Sequence, residues 1–431
     1  MKRLISFLLA AVTLVTVFTV SSGAYVYRIY RHGNYSYTFK GKDIQIVGYY
    51  GKEPTVKIPS TLLGRKVVAL SDDRPDKRGS WEDFNDIVDW NGNFEFGFWL
   101  NKYVETIIVP NSVKYISSSF FAECGKLKSV KLPSGLKTVS YGLFRNCKKL
   151  KNVSIPETVT KIEEEAFMNC GIKTFYIGSN VKKIKTDAFI NSKITKFKVD
   201  KANKYFSSAK GVLYNKKKTK LYYYPSARKQ KNYRVRKTVK RIEESAFYNH
   251  KYLKKITLDK KLKYIGKYAF YKCKKLETVN FNRSLKTIDK HAFESCYKLV
   301  KVNLKNKVTE IRAEAFFDCH KLKQVSLSEN LKYIGKESFS HCPKLSSVDL
   351  KSKKKLTVDK YAFYDCESLK RVDVPENTVK IEKKAFGIVE EYDKAMYDWE
   401  DVVLKGFILG VKYNSPAYRY ARKYKMYYVY I

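Results

Sequence analysis

Eight cysteines have the clearest chemical potential in this sequence, because thiols can ligate metals, form disulfides or act as nucleophiles. Each stands three residues after a phenylalanine, and neighbours within two runs are 23 or 24 residues apart. The runs are Cys124, Cys147 and Cys170, then Cys273, Cys296, Cys319, Cys342 and Cys366. Such spacing puts every thiol at the same point of a repeated unit. Since metal ligands must converge on one point, the spacing argues against a metal centre made of these thiols.

Other residue types that serve catalysis or cofactor binding show no comparable arrangement. We find no Cys–His pair, Ser–His–Asp set or phosphate-binding glycine loop. The segment Asp72 to Glu95 is acidic, and Asp89-Trp-Asn-Gly-Asn93 within it offers oxygen ligands for Ca²⁺. Its spacing does not match a known calcium loop, so we favour a solvated loop. We therefore predict no enzyme activity, no metal site and no cofactor. The five histidines stand at different points of the repeat: His32, His250, His291, His320 and His341.

The elements that position these residues are turns of a repeat marked by phenylalanine. The interval is 23 residues, except for 22 before Phe189, 24 before Phe363 and 58 before Phe247. A fixed period in this range is typical of a solenoid, in which each turn packs only against its neighbours. The phenylalanines are Phe98, Phe121, Phe144, Phe167, Phe189, Phe247, Phe270, Phe293, Phe316, Phe339, Phe363 and Phe386.

Apolar residues recur within each turn at positions 6, 9, 11, 15 and 18 after the phenylalanine. The residues at positions 9 and 11 alternate with polar ones, which predicts a short strand with both apolar side chains facing inward. The Ala-Phe segment lacks Gly and Pro and suits one helical turn. Stacked turns then predict an α/β solenoid of about twelve turns of 22–24 residues, with one parallel β-sheet and short helical turns.

The amino terminus predicts export. Lys2 and Arg3 precede an apolar run from Leu4 to Val20, and Ser22-Gly-Ala24 offers small residues for cleavage after Ala24. The alternative is an N-terminal membrane anchor, which the short run and the lack of a stop-transfer pattern disfavour. No later stretch is long enough to span a bilayer. The formal charge of +44 falls by two on removal of the signal, leaving a strongly cationic chain.

The regular array is flanked by atypical segments and is interrupted once. Alternating residues predict short strands before residue 71, and Ser415-Pro416 predicts a helix to about Tyr424, followed by a closing strand from Tyr427 to Ile431. Val402 to Leu409 reads as a last strand before that helix. Two apolar segments, Gly211–Tyr214 and Lys220–Pro225, predict a β-hairpin insertion. The predicted organisation is a signal peptide at 1–24, an N-terminal cap with the acidic loop at 25–97, a solenoid at 98–389 with the hairpin insertion at 200–232, and a C-terminal cap at 390–431.

Several phrases of this repeat resemble the BspA-like leucine-rich repeat family of exported bacterial surface proteins. They are Glu165-Ala-Phe-Met-Asn-Cys170, Val153-Ser-Ile-Pro156, the hairpin segments, and Asn414-Ser-Pro-Ala-Tyr-Arg-Tyr-Ala421. The resemblance implies a leucine-rich-repeat solenoid on the cell surface or in the medium, and it names no ligand. The chain departs from the family pattern at Ser192 and His250, which occupy cysteine positions, at a shifted Val379, and in its content of Lys and Tyr.

Stacked parallel turns also bear on the thiols. Neighbouring strands lie about 4.8 Å apart, whereas the Cβ atoms of a disulfide prefer about 3.8 Å. Runs of three and five cysteines leave one unpaired if neighbours pair. We therefore favour buried free thiols that pack as small apolar groups over disulfides.

Lysines form two patterned sets, and a fixed offset becomes a row in a solenoid. Two cationic rows could bind an anionic polymer, or they could simply keep a long surface soluble. The first lysine row stands two residues after the cysteine: Lys126, Lys149, Lys275, Lys298, Lys321 and Lys344. The second lysine row stands near the terminal Ile or Val of the turn: Lys114, Lys137, Lys182, Lys240, Lys263, Lys286 and Lys332.

Small polar residues flank position 9 and should project from the exposed face of the sheet, which is the usual binding surface of such solenoids. They would be equally expected on any exposed strand. The candidates on this sheet face are Ser129, Asn152, Ser154, Thr278, Asn280, Gln324 and Ser326.

Together these features predict a secreted or cell-surface leucine-rich-repeat binding protein that takes part in adhesion or surface interaction. Its expected partner is an extracellular protein or glycan, or an anionic polymer such as teichoic acid, a sulfated glycan or extracellular nucleic acid. The alternative is a structural protein of the cell wall that is retained by charge. No integral membrane segment is expected after signal cleavage.

The thiol pattern generates a first prediction. If all eight thiols are buried and reduced, alkylation should label about eight of them in denatured protein and very few in native protein, because a buried thiol does not form the reactive thiolate. Intact mass spectrometry before and after labelling counts the adducts. A non-reducing mass that has lost pairs of hydrogens would show disulfides instead.

Overall fold

The structure, a computed structural model, describes residues 18–22, 25–71, 97–98, 100–304, 307–393 and 398–431. Residues 1–17 of the expected signal peptide lie outside this part, as do the acidic loop at 72–95 and its candidate calcium ligands. The chain forms two compact units. Unit 1 comprises the described residues up to Lys193 together with Val199–Tyr205, and unit 2 comprises Ile194–Lys198 together with Phe206–Ile431.

Both units consist almost wholly of short strands. Unit 1 contains β1 Phe18–Ser22, β2 Tyr25–His32, β3 Tyr35–Lys40, β4 Asp43–Tyr49, β5 Thr55–Lys57, β6 Thr61–Leu62, β7 Arg65–Leu70, β8 Thr106–Ile108, β9 Tyr115–Ile116, β10 Ser129–Lys131, β11 Thr138–Val139, β12 Asn152–Ser154, β13 Lys161–Ile162, β14 Thr174–Ile177 and β15 Lys183–Ile184. β16, Lys196–Val199, includes residues assigned to both units.

Unit 2 contains β17 Phe206–Ala209, β18 Val212–Asn215, β19 Lys220–Tyr223, β20 Asn232–Arg234, β21 Arg241–Ile242, β22 Lys255–Thr257, β23 Tyr264–Ile265, β24 Thr278–Asn280, β25 Thr287–Ile288, β26 Lys301–Asn303, β27 Glu310–Ile311, β28 Gln324–Ser326, β29 Tyr333–Ile334, β30 Ser347–Asp349, β31 Leu356–Val358, β32 Arg371–Asp373, β33 Thr378–Ile381, β34 Ile388–Asp393, β35 Asp398–Val403, β36 Ile408–Val411, the helix α1 Pro416–Lys423 and β37 Tyr427–Tyr430.

Each regular turn carries two strands, whereas the sequence predicted one. The first strand is the expected one around position 9. Val302 lies within this strand and Leu304 directly after it, and both side chains are buried as predicted. The second strand has only two residues, such as Thr287–Ile288, and pairs in parallel with the same strand of the next turn. The prediction of a parallel sheet on one face is therefore incomplete, because the aliphatic residue at position 18 belongs to a second parallel series.

The predicted helical turns are wrong. The Ala-Phe segment is a series of tight turns, and in most of them two residues have positive φ, as Tyr268 and Lys272 do on either side of Phe270. An α-helix cannot pass through a residue in the left-handed region. The only α-helix among the described residues is α1, so the fold is a parallel β-solenoid rather than α/β. It has about 15 turns, not about twelve, because segments without the phenylalanine mark, such as β5, also join the stack.

The core of each unit is a column of stacked phenylalanine rings. In unit 2 the rings of Phe293, Phe316 and Phe339 are fully buried, nearly parallel and 5.1 Å apart between centroids. In unit 1 the rings of Phe121 and Phe144 stack at 5.7 Å. Burial of one such side chain contributes about 1.5–3 kcal/mol, so the column supplies a large part of the stability of each turn.

Within each unit the cysteines line a second buried column, and all eight are free thiols, as predicted. Each thiol donates a hydrogen bond to the backbone carbonyl of the phenylalanine one turn earlier, as Cys147 does to Phe121 at 3.0 Å and Cys273 does to Phe247 at 3.1 Å. In several turns that carbonyl already accepts a backbone amide, as the Phe247 carbonyl does from His250 at 3.1 Å, so the thiol serves its second lone pair. The cysteine is small enough to fit the column and carries a weak donor for this bond.

The interruption and the carboxyl-terminal segment are built into unit 2. β18 and β19 form the predicted antiparallel hairpin, and β19 then pairs in parallel with β21. The helix α1 begins where the sequence places it, with the Ser415 hydroxyl accepting from the Tyr418 amide at 3.1 Å. The predicted strand at Val402–Leu409 is instead split between β35 and β36, because the chain turns through Gly406 at φ 76°.

The phenylalanine column generates a second prediction. Replacing Phe293 with Ala should cost about 3–5 kcal/mol, because it leaves a cavity between two stacked rings. Each turn contacts only its neighbours, so amide exchange should accelerate mainly between residues 270 and 316. The exposed Tyr413 of the same unit, changed to Ala, is the control and should have little effect. Equal acceleration along the whole chain would contradict a linear stack.

Candidate binding surface

The lysines of the first lysine row all stand at the same corner of the solenoid turn. In each case the amide of the following leucine donates to the carbonyl of the cysteine three residues back, as Leu276 does to Cys273 at 2.9 Å. The cysteine and the leucine are buried, so the two residues between them are pushed outward. Lys126, Lys149, Lys275, Lys298, Lys321 and Lys344 are consequently exposed. Buried neighbours on both sides thus fix the position of each lysine.

The second lysine row is aligned by direct backbone bonds between turns. In unit 2 the amide of Lys263 donates to the Lys240 carbonyl, and the amide of Lys286 donates to the Lys263 carbonyl, both at 2.9 Å. Thr309 occupies the next turn, and Lys332 follows it through the same bond. All four lysines are exposed. Equivalent positions in successive turns are therefore about 4.8 Å apart, the spacing of paired strands, and Thr309 takes one of these positions.

Ion pairing separates two classes of cation on this surface. Several cations on the second strand series are paired, including Lys161 with Glu163, Arg241 with Glu243 and Lys380 with Glu382. Within the described ranges, by contrast, no ion pair involves any of the nine lysines considered for polyanion binding, which are Lys126, Lys149, Lys275, Lys298, Lys321, Lys344, Lys263, Lys286 and Lys332. The second strand series is therefore partly neutralised by its own acids, and the lysine rows are not.

The positive potential of the first lysine row reaches a neighbouring acid in unit 1. Lys128 donates to Glu105 at 2.6 Å and holds the pKa of that carboxyl below its ordinary value. Lys126 and Lys149 add smaller favourable contributions although neither touches Glu105. An anionic group placed closer to the row would experience a stronger attraction of the same kind.

The candidate residues on the sheet face lie where the sequence predicts, on the outward side of the first strand series. Ser129 pairs in register with Asn152, and the Asn280 amide donates to the Thr257 hydroxyl at 3.2 Å. Two exposed lysines that were not among the predicted residues lie beside them on the sheet face, because Lys255 pairs in register with Thr278 and Lys301 with Gln324. The sheet face is therefore also cationic. Ser154 and Thr278 are exposed like Gln324, and Ser326 is half-buried.

The structure also brings together three residues that were not predicted as a group from the sequence. Ligand atoms of His291, Glu294 and Glu314 all lie within 4.8 Å of one another. His291 and Glu294 flank one phenylalanine, and Glu314 stands at the position of His291 in the next turn. Equal offsets in neighbouring turns were the signal that could have revealed this cluster.

His250 replaces the cysteine in one turn and accepts hydrogen bonds there, where the cysteine donates one. Its Nδ1 accepts from the amides of Tyr252 and Leu253, at 3.3 and 3.0 Å, so the ring must be neutral at this nitrogen. The side chain is buried beside the ring of Tyr224. Burial lowers the pKa of His250 to about 4.

Comparison with known protein families identifies the family to which this repeat belongs. A family model described as the BspA type leucine rich repeat region, in 6 copies, matches residues 95–210, 217–319 and 286–391. The chain belongs to the BspA-type leucine-rich repeat family. This confirms the resemblance drawn from the repeat phrases. No curated protein matches the chain at a significant level.

Several solved structures of bacterial leucine-rich repeat proteins have a fold similar to that of this chain. A leucine-rich repeat protein from Eubacterium ventriosum is 22% identical, with a TM-score of 0.61, covering 82% of this chain and 92% of that one. The pneumococcal vaccine antigen PcpA is 20% identical, with a TM-score of 0.60, covering 94% and 98%. A leucine rich cell surface protein from Faecalibacterium prausnitzii is 21% identical, with a TM-score of 0.55, covering 74% and 94%. In the described part of the chain, no helix has the length and apolar character needed to cross a bilayer.

The buried His250 generates a third prediction, on acid stability. The ordinary pKa is 6.5 and the folded value is about 4, so below pH 6.5 the unfolded chain binds a proton that the folded chain refuses. Stability should fall as the pH drops from 6.5 towards 4, by about 3 kcal/mol from this residue. His250→Cys restores the residue of the repeat and should remove that part of the loss. Urea unfolding at pH 7.5 and 4.5 compares the two proteins, and an equal loss in both would contradict the assignment.

Proposed function

We propose that this chain is an extracellular, non-enzymatic binding protein that holds anionic polymers along its lysine rows. The observation that carries the proposal is the contrast in ion pairing. Cations of the second strand series, such as Arg241 and Lys380, have acidic partners, whereas the rows of exposed lysines have none within the described residues. Aligned charge without an internal counterion is available for an external one.

Polymers suit this surface better than small ligands do. Each lysine offers a compact charge on a flexible stem, so one contact is weak and poorly directed. Contacts repeated on successive turns add up, because the second contact of a tethered chain is intramolecular. Teichoic acids, sulfated glycans and extracellular nucleic acid all present regularly spaced anions. We expect affinity from summation and little selectivity among these polymers.

An extracellular location supports a role in adhesion or surface interaction. The amino-terminal sequence has the pattern of a secretory signal, and one protein of similar fold is described as a cell surface protein. On this proposal the polymer belongs to a host or to neighbouring cells. A glycan or protein on the sheet face of either unit, around Asn152 in unit 1 or Asn280 in unit 2, is the expected second class of partner.

A structural role in the producing cell's own wall is the second candidate function. The regular repetition of the lysine rows favours it, since a wall polymer runs past many turns at once. The two functions differ in where the protein is found and in what it binds. Fractionation should recover a wall protein on its own cells, released by high salt, and an adhesin on added host material.

Polyanion binding gives a fourth prediction, tested on immobilised heparin and on purified teichoic acid. Changing Lys275, Lys298, Lys321 and Lys344 together to Gln should weaken binding strongly, because it removes the first lysine row of unit 2. Binding by the unchanged protein should fall steeply between 0.1 M and 1 M salt, where the screening length shrinks from about 10 Å to about 3 Å.

The matched control changes four ion-paired lysines of the same unit, Lys254, Lys336, Lys353 and Lys380, to Gln. It lowers the net charge by the same amount while leaving the row intact, so it should bind nearly as well as the unchanged protein. Equal losses in both variants would mean that total charge, and not the row, attracts the polymer. Binding that is equal in the unchanged protein and both variants, and equal at both salt concentrations, would overturn the proposal.

A further inference from the structure

His291, Glu294 and Glu314 of unit 2 form a group that neither the core nor the lysine rows use. Nδ1 of His291 lies 2.6 Å from Oε2 of Glu294 and 3.2 Å from Oε2 of Glu314. The side chains are only 18%, 15% and 27% exposed, respectively. One imidazole nitrogen therefore faces two carboxylate oxygens inside a partly desolvated corner of the turn.

The positions of the three residues are fixed by the tight turns of the solenoid. His291 and Glu314 have φ of 56° and occupy equivalent sites in successive turns, held by the bond from the His291 amide to the Ala313 carbonyl at 3.0 Å. The His291 ring also stacks on Tyr268 at 4.6 Å, with 16° between the ring planes. The imidazole thus has a defined orientation without any contribution from a ligand.

A single proton on His291 cannot satisfy both carboxylates. The imidazole nitrogen has one N–H to donate, and it can serve Glu294 or Glu314 but not both at full strength. Among the described residues, neither glutamate has an ion pair with a lysine or arginine, and the nearby Lys336 pairs with Glu337 at 2.9 Å. The chain contains 86 lysines and arginines, yet these two largely buried carboxylates have no such partner. This corner of the turn therefore carries an excess of negative charge.

We propose that His291, Glu294 and Glu314 bind one divalent transition-metal ion of the zinc class. One imidazole nitrogen and two carboxylate oxygens form a ligand set that zinc accepts, with water completing four-coordination. Tetrahedral zinc with bonds of about 2.0–2.2 Å keeps its ligand atoms about 3.3 Å apart. The distance from His291 to Glu314, 3.2 Å, is close to this value, and the 2.6 Å from His291 to Glu294 would lengthen on binding. Hard cations such as Mg²⁺ and Ca²⁺ prefer sites made of oxygen alone.

His320 differs from His291 in the number of carboxylates that it contacts. His320 also contacts a carboxylate, with Nε2 2.5 Å from Oδ1 of Asp318, and its ring stacks on Tyr297 at 4.7 Å. His320 contacts a single acid and its side chain is about half exposed, so one proton satisfies the pair. His320 therefore serves as the internal control for an ordinary histidine–carboxylate pair.

The test is equilibrium dialysis of the native full chain against Zn²⁺ at pH 7.5, with Mg²⁺ and Ca²⁺ as separate arms. We expect binding of a single zinc ion and none of the other two. Glu294→Gln and Glu314→Gln keep the size of each side chain and should each weaken binding at least about 100-fold, since even residues behind metal ligands contribute 10–100-fold. His320→Ala should bind as the unchanged protein does.

A second readout is the ring proton resonance of His291, which zinc should shift in the unchanged protein but not in Glu314→Gln. Folding of each variant is checked by its native thiol count, which must remain near zero. Failure of the unchanged protein to bind zinc, or equal zinc binding by the unchanged protein and Glu314→Gln, would overturn the proposal and leave a hydrogen-bonded ion pair only. Loss of zinc binding in His320→Ala would likewise contradict this assignment.

Discussion

Stacking of one turn on the next is the interaction on which the rest of this structure depends. Neither a three-residue strand nor a tight turn can bury its own apolar side, so each turn is stable only against a neighbour. The phenylalanine ring supplies the apolar contact, and in most turns a cysteine thiol adds a hydrogen bond to the backbone carbonyl of the preceding phenylalanine. Because these contacts recur, the inner side of the turns varies little, and the outer residues are free to vary.

That freedom explains why charge is the variable property of this chain. Outer positions on the second strand series are occupied by opposite charges that pair across turns, as Arg312 does with Asp289. At the corner after the cysteine, the first lysine row has the same sign in turn after turn. Like charges at this spacing repel, and the core must compensate for the repulsion. An arrangement of this kind is understandable where an external anion relieves it.

The core was predictable from the sequence and much of the backbone was not, for different physical reasons. Buried positions such as Phe293 and Val302 repeat because only apolar side chains fit the column, so their period is visible. The tight turns were missed because residues as different as Tyr268, Lys272 and Asn249 all adopt positive φ where the stack requires it. The second strand series has two residues per turn, too few to show alternation. The lysine positions were predictable from spacing, but whether a lysine has an acidic partner depends on neighbouring turns.

The buried thiols determine whether unfolding of this protein is reversible. In the folded chain, burial raises the pKa of thiols such as Cys124 to about 12, so they are inert towards oxidants. If several turns open in an oxidising compartment, that protection disappears, and thiols from distant turns can join. Parallel stacking cannot accommodate such crosslinks, so the opened segment cannot close again. Unfolding then becomes a one-way event, and the lifetime of the protein is set by the rate of opening rather than by its equilibrium stability.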